Sequence, residues 1–130
     1  MTTEISVPIS PGELIDKLTI LEIKSARMTD AAKVANVRVE LSLLQTTWNG
    51  SAYAKNDIAA EWAELRRINA ELWDIEDRIR DKERQRLFDA EFIELARAVY
   101  VENDQRAAVK KRINVALGSA LIEEKSYAAY

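Results

Sequence analysis

The side chains best placed to do chemistry are polar residues at helical spacing within otherwise apolar stripes. Asn103, Arg106 and Lys110 interrupt one such stripe near the C-terminus, and Asn69 and Glu76 flank another stripe earlier in the chain. Charged groups inside a helical bundle are costly unless they are paired, so such a polar layer needs a reason. One reason is structural, because a buried polar contact can fix helix register. The other reason is a ligand or catalytic site. A different helical phase would instead leave these residues exposed.

If the layer is a ligand site, Arg106 and Lys110 are suited to hold an anionic group of a small molecule. This hypothesis requires a concave pocket at residues 103–110. Trp73 lies off the main stripe of its predicted helix, where it either packs against the C-terminal tail or lines the pocket. The candidate ligand-binding residues are therefore Asn69, Trp73, Glu76, Asn103, Arg106 and Lys110.

A second set of candidates consists only of carboxylates. Asp74, Glu76 and Asp77 lie within one helical turn, and Glu91 and Glu94 follow on the next predicted helix. Acidic pairs on facing helices can bind Mg²⁺ and leave water positions for phosphate oxygens. The alternative function is accordingly a magnesium-dependent phosphate or nucleotide hydrolase, with Asp74 and Asp77 as metal ligands. It requires these carboxylates to converge in a pocket.

The acidic spacing is faintly similar to that of the all-α nucleotide pyrophosphohydrolases, whose motif is Glu-Glu-x-x-Glu followed by Glu-x-x-Asp. The corresponding segments are DIED at residues 74–77 and EFIE at residues 91–94, and neither matches the motif. Phe92 and Ile93 are the expected core residues of their turn, which directs the two flanking glutamates partly outward.

Composition excludes several other kinds of chemistry. The chain of 130 residues contains no cysteine and no histidine, which rules out disulfides, thiol catalysis, cysteinyl zinc sites and histidine-dependent catalytic triads. The formal net charge of −3 argues against a nucleic-acid partner, which would favour a basic face. No apolar run approaches the roughly 20 residues of a membrane span, and no secretory signal is visible. We therefore expect a cytoplasmic protein without a resident cofactor. A bound Mg²⁺ is expected only under the hydrolase hypothesis.

Four helices and an extended N-terminal arm are the elements that must position these residues. Neither glycine nor proline occurs between Gly50 and Gly118, which predicts long uninterrupted helices. Ser10, Asp30, Asp57 and Asp89 are the expected N-caps, with Glu13 reaching back to Ser10. The sequence predicts a single all-α domain over residues 1–130, a four-helix bundle of a short and a long antiparallel hairpin. Its predicted segments are an arm at 1–10, helices at 11–28, 31–48, 58–86 and 90–118, and a tail at 119–130 with one short helical turn from residue 121.

The long helices are expected to pack antiparallel about residues 87–88, so that residue i faces roughly residue 175 − i. Each is about 42 Å long against about 27 Å for each of the first two helices. The short hairpin cannot cover the long one, which favours a homodimer. Ile20 and Ile23 lie nearly opposite the main apolar stripe of the first helix and are the expected interface. The leading functional hypothesis is thus a binding or assembly module that self-associates or binds an unidentified protein partner.

Four segments of the sequence resemble a family of small bacterial proteins of unknown function. They are residues 8–24 (PISPGELIDKLTILEIK), 72–77 (LWDIED), 103–107 (NDQRA) and 123–127 (EEKSY). The resemblance covers nearly the whole chain and implies a one-domain bacterial protein, but it implies no catalytic residue. Three of the four segments fall on polar residues already selected above or on the tail.

Overall fold

Four α-helices make up the fold, as the sequence predicts. The computed structural model describes residues 3–130 and contains α1 (Pro11–Arg27), α2 (Ala31–Asn49), a short 3₁₀ helix (Ala52–Lys55), α3 (Ala59–Gln85) and α4 (Ala90–Ala116). No strand occurs in this described part of the chain, so the all-α bundle is confirmed. Across the same residues, no helix has both the length and the apolar composition needed to cross a membrane.

Side chains at the helix starts explain where most of the helices begin. Three caps accept the backbone N–H of the residue three positions later, namely Ser10 at 3.2 Å, Asp30 at 3.0 Å and Asp89 at 3.0 Å. Asp57 was expected to be the fourth cap, but Ile58 occupies that position. The Asp57 carboxylate instead accepts from the N–H of Ala59 at 3.1 Å, so α3 begins one residue later than the sequence predicts.

The core is built around α1, which packs against α2, α3 and α4. Ile23, one of the two expected interface residues, is only 4% exposed within a single chain, and Ile20 is half-buried. The burial of one large aliphatic side chain of this kind stabilises the folded state by about 1.5–3 kcal/mol. The apolar residues of the central cluster are Leu14, Ile15, Leu18, Trp48, Ile58, Leu65, Ile68, Val109 and Ile113.

The two long helices form an antiparallel pair close to the predicted register. Glu64 pairs with Arg112, and Arg78 pairs with Glu91 at 3.2 Å. The turn between them is closed by Arg86, whose left-handed backbone (φ 57°) ends α3. α1 ends at Arg27, which donates to Asp74 of α3 at 2.7 Å, so the distal part of the hairpin, beyond Asp74, extends past the end of α1. Large apolar side chains such as Ile93 are exposed there.

Segments without regular structure flank the bundle. The described part of the arm, residues 3–9, has no regular secondary structure and is exposed, whereas residues 1–2 lie outside the described residues. After Gly118, which has a φ of 68°, the chain turns back along α4. The helical turn expected from residue 121 is not formed: residues 121–130 are non-helical and every one of them is exposed.

Candidate functional site

The polar layer between the helices is centred on Asp16 of α1, a residue that the sequence analysis missed. Its side chain is 1% exposed. Its Oδ1 accepts from Asn69 Nδ2 and from Arg106 Nε, both at 2.9 Å, and its Oδ2 accepts from Arg106 at 2.5 Å. Asn69 also donates to Thr19 Oγ1 at 3.0 Å. Asn69 and Arg106 therefore meet as predicted, but through a carboxylate supplied by α1.

The two cations expected to hold an anionic ligand already have carboxylate partners. The hydrogen bonds that Arg106 donates to Asp16 raise the pKa of Arg106 above its ordinary value, although burial acts in the opposite direction. Lys110 lies 2.6 Å from Glu13 and 3.4 Å from Glu123. The sequence predicts that the Glu13 side chain contacts Ser10, but in the structure it pairs with Lys110. An incoming anion would have to compete with carboxylates of the chain itself.

A closer inspection of α1 could have revealed Asp16. Asp16 lies four residues before Ile20 and seven before Ile23, which places all three on one face of a helix. An acidic residue on the same face as two isoleucines is unusual for a surface that binds another copy through apolar contacts. The pattern is better explained by an internal face with a cationic partner, which is where the structure places Asp16 and Ile23.

A second buried polar contact sets the distance between α1 and α4. The Gly12 N–H donates to Oδ1 of Asn114 at 2.7 Å, and Asn114 is 1% exposed. A Cβ at position 12 would lie 2.5 Å from the backbone oxygen of Lys110. Only glycine permits this approach, which brings α1 against the backbone of α4 and holds Asp16 beside Arg106.

A groove between α1, α3 and α4 gathers most of the predicted site residues. We call it the Trp73 groove; its volume is about 420 Å³. Five of the six predicted ligand-binding residues line it, together with one predicted metal ligand and one predicted interface residue. Its lining residues are Ile20, Asn69, Leu72, Trp73, Glu76, Asp77, Arg80, Asn103 and Arg106.

The sixth predicted ligand-binding residue, Lys110, lies in a different groove. We call this the tail groove; its volume is about 920 Å³, and it is enclosed by α4 and the C-terminal segment. Tyr130 closes one end, where its hydroxyl donates to Asp104 at 2.5 Å and its ring centroid lies 5.0 Å from that of Tyr100. Asn103 and Arg106 line both grooves. A concave surface therefore exists at residues 103–110, with paired charges around Lys110.

One comparison with known proteins finds a match over nearly the whole chain. The model of a family of unknown function, DUF6165, matches residues 5–130. The chain belongs to DUF6165. No curated protein and no solved structure matches it. Because the family carries no assigned activity, the function of this DUF6165 chain has to be argued from its own geometry.

The metal ligands predicted for this DUF6165 chain lie apart. Arg27 donates to Oδ1 of Asp74 at 2.7 Å, and Asp74 lines a separate cavity with Glu91 and Glu94. Asp77 faces the Trp73 groove instead. Within residues 3–130, no group of three or more acidic side chains is placed to hold a metal ion. Asp74 and Asp77 thus line different grooves, and the carboxylates around Asp74 share a cavity without the arrangement that a metal ion needs.

Proposed function

We propose that the protein is a binding module for a small molecule and that the Trp73 groove is its binding site. The observation that carries this proposal is that five predicted ligand-binding residues, drawn from two helices, line one groove. Its volume of about 420 Å³ falls within the roughly 300–1,000 Å³ of small-molecule sites. Ile20, Leu72 and Trp73 supply its apolar surface, and small-molecule sites combine such surface with polar groups that orient the ligand.

The polar wall of the groove is held rigidly before any ligand arrives. Asn69 and Arg106 are both fixed by hydrogen bonds to the buried carboxylate of Asp16. Rigid polar groups lower the entropy that is lost on binding, because the side chains do not have to be ordered at that moment. Trp73 is half-buried and supplies the large apolar surface, while Asn103 is exposed and offers an amide donor and acceptor.

A thermal-shift panel of metals, nucleotides, sugar phosphates and organic amines tests the proposal. A ligand at about 100 times its Kd stabilises the folded state by roughly 2.7 kcal/mol, which moves the Tm of a chain of this size by about 3–6 °C. Arg106→Ala is a poor probe, because it also removes the partner of buried Asp16. Asn103→Ala is the better probe, because Asn103 is exposed.

Asn36→Ala is the matched control, since Asn36 is an exposed asparagine on α2 that does not line the groove. A shift that is lost in both Asn103→Ala and Trp73→Leu and kept in Asn36→Ala supports the proposal, because Asn103 also lines the tail groove whereas Trp73 lines only the Trp73 groove. A shift that survives in both variants and in Trp73→Leu contradicts it, because the ligand then binds away from the groove.

Self-association is a second candidate function, and the exposed distal part of α4 favours it. Ile93 is 56% exposed there, on a stretch of hairpin that α1 does not cover. Sedimentation velocity on Ile93→Glu and Ile20→Glu compares this surface with the one predicted from the sequence. Dissociation of a dimer by Ile93→Glu alone supports the hairpin surface. A wild-type protein that stays monomeric at high concentration contradicts self-association altogether.

A further inference from the structure

The Trp73 groove contains one carboxylate without a cationic partner, and we infer from it that the ligand is an organic cation. The chemistry is an ammonium group, primary or quaternary, on a short alkyl stem. The inference rests on the function proposed above, because it names the class of ligand for the same groove. Three features support it: the pairing of the charged residues that line the groove, the position of the Trp73 indole, and the apolar surface of Ile20 and Leu72.

The charges that line the groove are paired with one exception. Glu76 accepts from Arg80 at 3.1 Å, and Arg106 is bound to Asp16. Asp77 takes part in none of the ion pairs formed within residues 3–130, although it lines the groove. The wall therefore presents one net negative charge beside apolar side chains. Asp77 is exposed, so a cation that enters the groove can reach its carboxylate, and the attraction between them strengthens as the bound ligand excludes water.

The indole of Trp73 adds a second feature that favours a cation. Trp73 lies four residues before Asp77 on α3, so both side chains project from the same side of the helix. A cation over the face of tryptophan is stabilised by the ring quadrupole, and more strongly where water is partly excluded. Ile20 and Leu72 line the groove as well and provide apolar surface for an alkyl stem.

An anionic ligand is disfavoured by the same arrangement. It would lie beside Asp77 and Glu76, and the guanidinium groups of Arg80 and Arg106 are each already bound to a carboxylate. An uncharged ligand would leave the Asp77 carboxylate partly desolvated without compensation. A cation is the ligand class that improves both the indole contact and the charge balance of the groove.

Choline and its uncharged isostere 3,3-dimethylbutan-1-ol form the decisive pair of probes for the full-length protein. Titrations follow tryptophan emission, in which Trp48 and Trp62 contribute a background from a core pair 5.7 Å apart. We expect choline to bind at least about tenfold more tightly than the alcohol, since the two differ only in charge. Butylamine and Nα-acetyl-lysinamide extend the series, separating a free amine from a lysine side chain of a peptide.

Asp77→Asn tests the carboxylate, and Asp81→Asn is its matched control. Asp81 lies one turn farther along α3, outside the groove and paired with Arg84. Asp77→Asn should weaken the binding of choline by about tenfold, whereas Asp81→Asn should leave the affinity for choline nearly unchanged. Equal binding of choline and the alcohol, with no effect of Asp77→Asn, overturns the cation assignment and leaves the proposed function standing. The proposed function itself fails when no compound of either panel responds to Asn103→Ala or Trp73→Leu.

Discussion

The part of the hairpin that α1 covers and the part that extends beyond it use the same ion-pair chemistry under different burial. In the covered part, Asp16 binds Arg106 and is 1% exposed. At the distal end, Lys82 bridges Asp89 at 2.9 Å and Glu91 at 3.2 Å, with both carboxylates about half exposed. The covered pair fixes the wall of a groove, whereas the distal pairs hold a turn that faces water.

Burial makes these two regions respond differently to the loss of a charge. Removing one partner of a buried pair leaves an uncompensated charge in a poorly solvated place. An exposed partner is instead rehydrated, and salt already screens its attraction. Substitutions in the covered part should therefore have large effects, and those at the distal end should have small ones.

Asp16→Ala should have the largest effect on stability. It leaves Arg106 without its bidentate partner and Asn69 without one acceptor, which costs about 3–5 kcal/mol of the free energy of unfolding. This loss is a large share of the roughly 5–15 kcal/mol typical of a domain. Urea denaturation measures it, with exposed Asp81→Ala as the control. If Asp16→Ala does not fold, Asp16→Asn takes its place, because it retains an acceptor for Asn69. A loss of stability as small as that of the control would show that the buried pair is not what holds α1.

Gly12→Ala should have the next largest effect. The added Cβ would lie 2.5 Å from the Lys110 carbonyl oxygen and 2.8 Å from Oδ1 of Asn114. Overpacking against backbone costs about 1–3 kcal/mol. Gly50→Ala is the matched control, because its nearest atom is 3.5 Å away. Similar Tm values for the two variants would mean that α1 moves away from α4 at little cost.

Glu102→Gln tests a carboxyl group between the two regions. Oε2 of Glu102 is buried and has no hydrogen-bond partner within the described chain. Burial and the neighbouring Glu71 raise the pKa of Glu102, while Arg67 opposes them. The carboxyl group of Glu102 thus binds its proton more tightly in the folded state than in the unfolded state. The stability it contributes is complete below the ordinary pKa of 4.5 and is lost as the pH rises through the raised pKa.

The amide introduced by Glu102→Gln would carry no charge and could donate to Glu71. Near neutral pH the substitution should therefore stabilise the protein, by on the order of 1 kcal/mol. Urea midpoints measured from about pH 4 to 8 should show a flatter profile than the wild type in this range. Exposed Glu83→Gln, on α3, is the control and should leave the profile unchanged. A Glu102→Gln protein less stable than the wild type at neutral pH would refute the role given to this carboxyl group.

The helices and the pairing of α3 with α4 follow from local signals, which explains why they could be predicted. Caps such as Ser10 and Asp89 act within one turn, and the short connection at residues 87–88 sets the register of the long pair. The exceptions depend on tertiary contacts. The environment of α1 is set by three other helices, and the only local sign that its second apolar face, with Ile23, is also internal is the presence of Asp16 on that face.

The candidate site was predicted only in part, because some of its residues give a local signal and others depend on contacts between helices. Asn69 and Arg106 were detectable because they interrupt apolar stripes on single helices. Asp16 was not detected, because its partners lie on two other helices and about 50–90 residues away in the chain. Asp77 was assigned to a metal from its neighbours in sequence, although in space it lines a groove together with the Trp73 indole and the guanidinium groups of Arg80 and Arg106.

Glu91→Gln, at the distal end, should have the smallest effect. Hydrogen bonds from Lys82 and then Arg78 lower the pKa of Glu91, so its stabilisation is present above the ordinary value of 4.5 and is lost as the pH falls through the lowered pKa. Because both pairs are exposed and screened, the urea midpoint at neutral pH should change by no more than the error of the measurement, and not at all in high salt. A loss approaching that of Asp16→Ala would mean that the distal hairpin, and not the covered part, limits the stability of the fold, since only a pair shielded from water can destabilise so strongly when it is broken.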